Sequence, residues 1–200
     1  MQIDKKQLKA ALLFAAVKDV RYYLNGIFFD KRGYIVATDG HRAIAIETPL
    51  DIAESFIVPS GLIEKALKVS DKGNEFIEME VEFNGTYSPQ AIIKMDGIKD
   101  FSIDGKYPDW QAVIPVKANQ ADYVQTPALL NPDYNMDAVK ASLILKGLGN
   151  VKYKSPILFK GLSPKNIDDL PWSEACAYLN KVCAVHFGDN HTIVVMPTRL

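Results

Sequence analysis

Leu8, Ala11, Leu12 and Ala15 fall at i, i+3, i+4 and i+7, with Lys5, Lys6 and Lys9 on other faces. That spacing predicts an amphipathic helix over about residues 5–17, and Asp4 is placed to cap its N-terminus. Two strand-like runs follow, Tyr22–Phe29 and Tyr34–Glu47, parted by the hairpin-like Asp30-Lys31-Arg32-Gly33. Phe56–Pro59 reads as a further strand. Pro59-Ser60-Gly61 then opens a second helix at 61–69, apolar at Leu62, Ile63, Ala66 and Leu67 and polar at Lys65 and Lys68. Strands are predicted at about 76–84, 90–96 and 98–104, so the first 115 residues read as two similar halves, each a helix with strands.

Residues 116–127 carry no periodicity and read as a linker. Beyond it Asn135 is placed to cap a third helix at about 136–146, with Met136, Val139 and Leu143 on one face and Lys140 and Lys146 elsewhere. Gly147 and Gly149 end that helix. A strand is expected at about 152–160, a loop at 161–172 around Pro164 and Pro171, and strands Val182–Phe187 and Thr192–Met196 around the turn Gly188-Asp189-Asn190. Turn-flanked strands without strand–helix–strand alternation predict an α+β fold: antiparallel sheets with helices packed on one face.

Composition narrows the partners. No apolar run approaches the roughly 18 residues of a membrane span, and the start MQIDKKQLKA lacks a signal-peptide apolar region. A soluble cytoplasmic protein with no membrane partner is expected. The formal net charge is −1, so any nucleic-acid contact must come from a local basic surface rather than from the whole molecule.

Candidate chemistry is sparse. Cys176 and Cys183 fit neither a metal spacing nor a disulfide framework. Asp39-Gly40-His41-Arg42 sets an acid, a base and a cation in a row; on a strand Asp39 and His41 would share a face, but no nucleophile accompanies them. His186 and His191 flank a turn without the further ligands a zinc site needs. No phosphate-binding glycine loop and no nucleophile–base ordering stands out. We expect no enzyme activity, no cofactor and no metal. The lysines of the three helices have two readings, a solvated face and a phosphate-contacting face.

Four segments carry a resemblance. Asp19-Val20-Arg21-Tyr22-Tyr23-Leu24-Asn25-Gly26, Val36-Ala37-Thr38-Asp39-Gly40-His41-Arg42 and Gly105-Lys106-Tyr107-Pro108-Asp109-Trp110 resemble, in order, the opening, middle and end of the middle domain of the bacterial DNA sliding clamp, the DNA polymerase III beta subunit family. Val194-Val195-Met196-Pro197-Thr198-Arg199-Leu200 is similar to that family's C-terminal tail. The resemblance implies a DNA clamp fold, with 1–115 a middle-type domain, 116–127 a linker and 128–200 the second half of a last domain.

Helices line the inside of the family's ring, where basic residues meet phosphates of double-stranded DNA without reading sequence. Lys5, Lys6, Lys9, Lys65, Lys68, Lys140 and Lys146 lie on or beside the three predicted helices and are the candidates for such contacts, and Tyr22 and Tyr23 match family positions that approach DNA. The family's apolar pocket for short linear motifs of DNA polymerase and other replication proteins is matched by Leu24, Thr38, Gly40, His41, Arg42, Pro108, Val113, Val194, Val195, Met196, Pro197 and Arg199. Ala43 departs from the family's larger aliphatic residue and Ala112 from its frequent basic one. The family ring uses twelve half-domains, so three per chain imply a homo-oligomer of four, with a clamp loader left open as a further partner. Two readings remain: a DNA-tethering processivity factor, and a monomeric peptide-binding module acting as decoy or regulator.

Overall fold

The computed structural model describes residues 1–70, 73–83, 90–112, 123–125, 131–146, 160–162, 184–187 and 189–195. The first strand, β1 (Gln2–Asp4), runs directly into helix α1 (Lys5–Leu12). Asp4 caps that helix through its carboxylate, which accepts from the Lys6 amide at 2.7 Å. The helix stops five residues short of the predicted end although the apolar run continues. The Leu13 and Phe14 amides reach back only three residues, to Ala10 and Ala11, and the Ala16 amide is bonded to Leu24 O. Those bonds divert the chain before another α-turn can close, while Phe14 stays fully buried.

The next segment corrects two expectations. Tyr22–Leu24 is a 3-10 turn, and strand β2 begins only at Gly26 (Gly26–Asp30). The run Tyr34–Glu47 is two strands, β3 (Tyr34–Thr38) and β4 (Arg42–Glu47), paired antiparallel from Tyr34↔Glu47 to Thr38↔Ala43. Gly40 makes the break, with φ +90°, and a Cβ there would lie 2.7 Å from Arg21 Nη1. Asp39 and His41 therefore sit in a turn, not on one face of a strand.

Strand β5 (Phe56–Pro59) leads into helix α2 (Ser60–Val69), and then β6 (Phe76–Phe83), β7 (Ala91–Met95) and β8 (Ile98–Phe101) form a meander. The two halves are the same unit used twice: strand, helix, three strands. They exchange their first strands, giving one sheet β1-β6-β7-β8 and the run β5-β2-β3-β4 in the other.

Farther on, β9 (Tyr123–Gln125) lies inside the stretch predicted as linker and pairs with β10 (Lys160–Leu162). Only the last residue of the predicted strand at 152–160 is described, and β10 carries on into the expected loop. Helix α3 spans Pro132–Leu145 and is capped by Asn131, not Asn135. Asn131 Oδ1 accepts from the Asp133 amide at 2.9 Å, and Pro132 occupies the first turn, where its missing N–H costs nothing. Strands β11 (Ala184–Phe187) and β12 (His191–Val195) complete an eight-stranded sheet, β5-β2-β3-β4-β12-β11-β10-β9. Cys176, Cys183 and the last five residues lie outside the described residues.

The join is β4 with β12, antiparallel from Arg42↔Val195 to His191↔Ile46. Strand alternation sends Ile44, Ile46, Ile193 and Val195 to the side packed by α1, α2 and α3, whereas Ala43, Ala45 and Val194 face the other way. There they meet a strap, residues 102–112, which crosses the outer face of the sheet. The Ile103 amide bonds Ile57 O at 2.9 Å, Tyr107 stacks on Phe28 at 4.7 Å, and Trp110 packs on Tyr34 at 5.0 Å. Burial pushes the Tyr107 phenol well above its ordinary pKa.

Candidate peptide pocket at the strand seam

The turn between β3 and β4 is built by its own polar side chains. Thr38 Oγ1 donates to Arg42 O at 2.7 Å and accepts from the Gly40 amide at 3.0 Å. Asp39 accepts from the His41 and Arg42 amides at 2.8 and 3.0 Å and from Arg42 Nε at 3.0 Å. In this setting Asp39 organises the turn. Arg21 approaches from the preceding loop, where its Nη2 bonds Asp39 O at 3.1 Å and its guanidinium pairs with Asp19. The side-chain bond from Arg21 lowers the Asp19 pKa to about 2.

Arg42 ties this turn to α3. Its Nη1 lies 2.6 Å from Asp137 Oδ2, and its guanidinium stands 4.8 Å from the Tyr134 ring and 5.4 Å from the Phe14 ring. Asp137 also accepts from Lys140 at 3.1 Å. Burial opposes the charge of Asp137, but the bonds from Arg42 and then Lys140 outweigh it and hold the carboxyl below its ordinary range. His41 stacks on Tyr134, ring centres 6.2 Å apart.

Beside this turn, on the outer face of the seam, opens a largely apolar cavity of about 230 Å³. It has room for one or two anchoring side chains rather than a large ligand. Ala43 and Val194 line it from the paired strands, Leu24 and Tyr23 from the loop before β2, Pro108, Asp109 and Trp110 from the strap, and Arg21, Thr38, Gly40, His41 and Arg42 around the turn.

Of the expected pocket residues, Leu24, Thr38, Gly40, His41, Arg42, Pro108 and Val194 are thus brought together. Val195 is not among them. As the next residue on β12 it points into the helix-covered core and is fully buried. Val113, Met196, Pro197 and Arg199 lie outside the described residues. Sequence reasoning missed Arg21, Asp109 and Trp110 as lining groups, although each sits in a motif it had singled out. It placed Tyr23 at DNA and missed Tyr134, which no spacing ties to residue 41.

The basic residues divide. Lys5 is buried and its ammonium donates to the carbonyl of Asn74, so it is withdrawn from any DNA-facing surface. Lys6 stands 3.9 Å from Glu75. Lys9, Lys65, Lys68, Lys140 and Lys146 are exposed, and Tyr22 is 57% exposed beside Tyr23. His186 and His191 lie with ring centres 5.7 Å apart. Among the described residues no group of three or more His, Cys, Asp or Glu is arranged to hold a metal, and no helix is long and apolar enough to cross a membrane.

Comparison with known proteins bears on the fold and the family. The family model for the central domain of the DNA polymerase III beta subunit matches residues 2–109. The beta sliding clamp of Salmonella typhimurium is 30% identical over 117 residues, 56% of this chain and 31% of that protein. That of Vibrio cholerae is 32% identical over 106 residues, 50% of this chain and 28% of that protein. This chain therefore spans about a third of the length of these curated relatives. Crystal structures of the DNA polymerase sliding clamps of Pseudomonas aeruginosa and Caulobacter crescentus superpose on the whole chain with TM-scores of 0.55 and 0.54, at 19% and 18% identity, covering 66% and 65% of those chains. The fold is the clamp fold, and the chain belongs to the DNA polymerase III beta subunit family.

Proposed function

We propose that this protein is a non-enzymatic clamp subunit that holds replication proteins on double-stranded DNA in the cytoplasm. The observation that carries the reading is the cavity at the β4–β12 seam, where the family-matched region and the C-terminal strands build one apolar site. A short linear motif of a DNA polymerase or another replication protein would insert an aliphatic or aromatic side chain there, with His41 and Arg21 at the rim. Lys9, Lys65, Lys68, Lys140 and Lys146 would meet phosphates without base readout, which makes the DNA association steeply salt-dependent.

We take residues 1–115 as one domain and 128–200 as a partial one, with the organised strand β9 reaching into the stretch between them. Assembly would use β8, which ends its sheet among the described strands and occupies the place in its unit that β4 holds in the other. The closed homo-oligomer of this reading rests on the family resemblance, with the β8 edge as a candidate contact. The alternative reading is a monomeric peptide-binding module that acts as decoy or regulator of replication proteins.

Two measurements separate these readings. Solution mass by light scattering gives the oligomer number, where a closed oligomer supports the clamp and a strict monomer at micromolar concentration supports the peptide module. Titration with a labelled clamp-motif peptide compares the parent with a chain lacking Met196–Leu200. The truncated chain should lose on the order of thirtyfold in affinity, the worth of one buried methionine side chain at ~2 kcal/mol, while DNA association survives. Equal binding by the folded truncation would remove the tail from the site.

A further inference from the structure

One wall of the cavity is not made by the sheet at all. Trp110, at the end of the strap, lines it and is only 4% exposed. Its indole Nε1–H donates to Asp30 Oδ2 at 2.8 Å, reaching across to the end of β2. Asp30 is 1% exposed and also accepts from the Arg32 amide at 3.0 Å and Arg32 Nε at 2.9 Å. Arg32 in turn stands 5.3 Å from the Trp110 ring and bonds Gln111, the next residue of the strap. None of these groups has a part in the turn chemistry of residues 38–42, and Asp30 does not line the cavity.

Four N–H donors converge on this one carboxylate: the Trp110 indole, the Arg32 amide, and Arg32 Nε and Nη2. Only an acceptor with two oxygens and no hydrogen satisfies them together. An asparagine would replace one acceptor atom with an NH2 aimed at other donors. Upstream, the strap is fixed by the Tyr107–Phe28 stack. Downstream, the Trp110 ring packs on Tyr34 and is bonded to the Asp30 carboxylate, opposite the Val194 and Ala43 that also line the cavity.

From this arrangement we infer that Asp30 is a positioning residue for the cavity: with Arg32 it latches Trp110 and thereby fixes the width of the peptide pocket. The inference rests on reading the cavity as a peptide site, but the latch itself can be observed in the free protein. The carboxylate acts at a distance, through the indole, and touches no ligand.

The test uses the full chain with Trp172 replaced by Phe, so that of the two tryptophans only Trp110 emits. Asp30→Asn should make Trp110 more readily quenched by acrylamide, with the far-UV circular dichroism of the parent retained. A labelled clamp-motif peptide should bind Asp30→Asn about tenfold more weakly. Trp110→Phe keeps a ring in the wall but removes the donor, so it should show a similar loss of binding. The double variant should be no weaker than the worse single one. Multiplying losses would mean two independent effects and overturn the latch, as would parent-like quenching or parent-like binding in Asp30→Asn. If Asp30→Asn does not fold, Trp110→Phe decides alone, and parent-like binding by it overturns the proposal. If the parent binds no peptide, the peptide reading falls, and unchanged quenching would then sink the latch as well.

Discussion

β4 and β8 close equivalent units, yet their surroundings differ completely. β4 reads Arg-Ala-Ile-Ala-Ile-Glu and is buried along its whole middle, because β12 covers its edge, helices cover one face and the strap approaches the other. β8 reads Ile-Lys-Asp-Phe, ends its sheet, and leaves Lys99 and Phe101 exposed. Small and branched apolar residues suit a strand sandwiched on both faces, whereas charges suit an edge that must not pair indiscriminately. The contrast teaches that the pocket belongs to the seam and not to the repeated unit: Arg42 and Ala43 of β4 and Val194 of β12 line it together.

The sharpest test of this contrast is a pair of matched truncations. Ile44→Ala in β4, fully buried and paired with Ile193, should cost about 2–5 kcal/mol in urea unfolding. The half-buried Ile98 of β8, replaced in the same way, should cost less than about 1 kcal/mol. Equal costs would mean that β8 is as enclosed as β4, and the asymmetry would be gone.

A smaller effect should come from cutting the tie between the seam and α3. Arg42→Ala leaves Asp39 and Asp137 without their shared partner and should destabilise by roughly 1.5–3 kcal/mol. Asp137→Asn, which keeps an acceptor, should cost less. If Arg42→Ala is neutral in thermal unfolding, the guanidinium is not holding α3 to the turn.

Acid should act on the same contacts. Asp30 and Asp137 both have carboxyls held below their ordinary pKa of 3.8. For Asp30, burial is the largest influence and raises the value, but the bonds from Arg32 and then Trp110 prevail. A depressed folded-state pKa gives stability that is present above the unfolded value and lost as pH falls through the folded one. Stability should therefore be level above about pH 5 and fall from about pH 4 downward. Asp137→Asn should flatten part of that fall in pH-dependent unfolding, and an unchanged profile would show that the pair contributes nothing.

Much of this was legible in the chain because alternation and helical spacing are strong signals. Asp4 marked its helix start, whereas Val194 and Val195 were both expected in the pocket although strand alternation sends only Val194 there. Other features depended on partners far away in sequence. α1 stops at Leu12 because Leu24 captures the Ala16 amide. Lys5 looked like a solvated cation until Asn74 was found against it. The split of residues 34–47 was signalled by Gly40, but the apolar runs on either side concealed it. The latch on Trp110 joins residue 30 to residue 110, and no local pattern announces such a bond.

The register that pairs Arg42 with Val195 also imposes an order of events on synthesis. A chain emerging from the ribosome presents β4 long before the strand that covers it exists. Throughout that interval its Ala-Ile-Ala-Ile edge is a bare apolar template, open to the wrong neighbour on a crowded polysome. Such late, long-range closure is intrinsically slow. The nascent protein would be most vulnerable in the interval before β12 is made, through the seam's lateness rather than through any weakness of the finished fold.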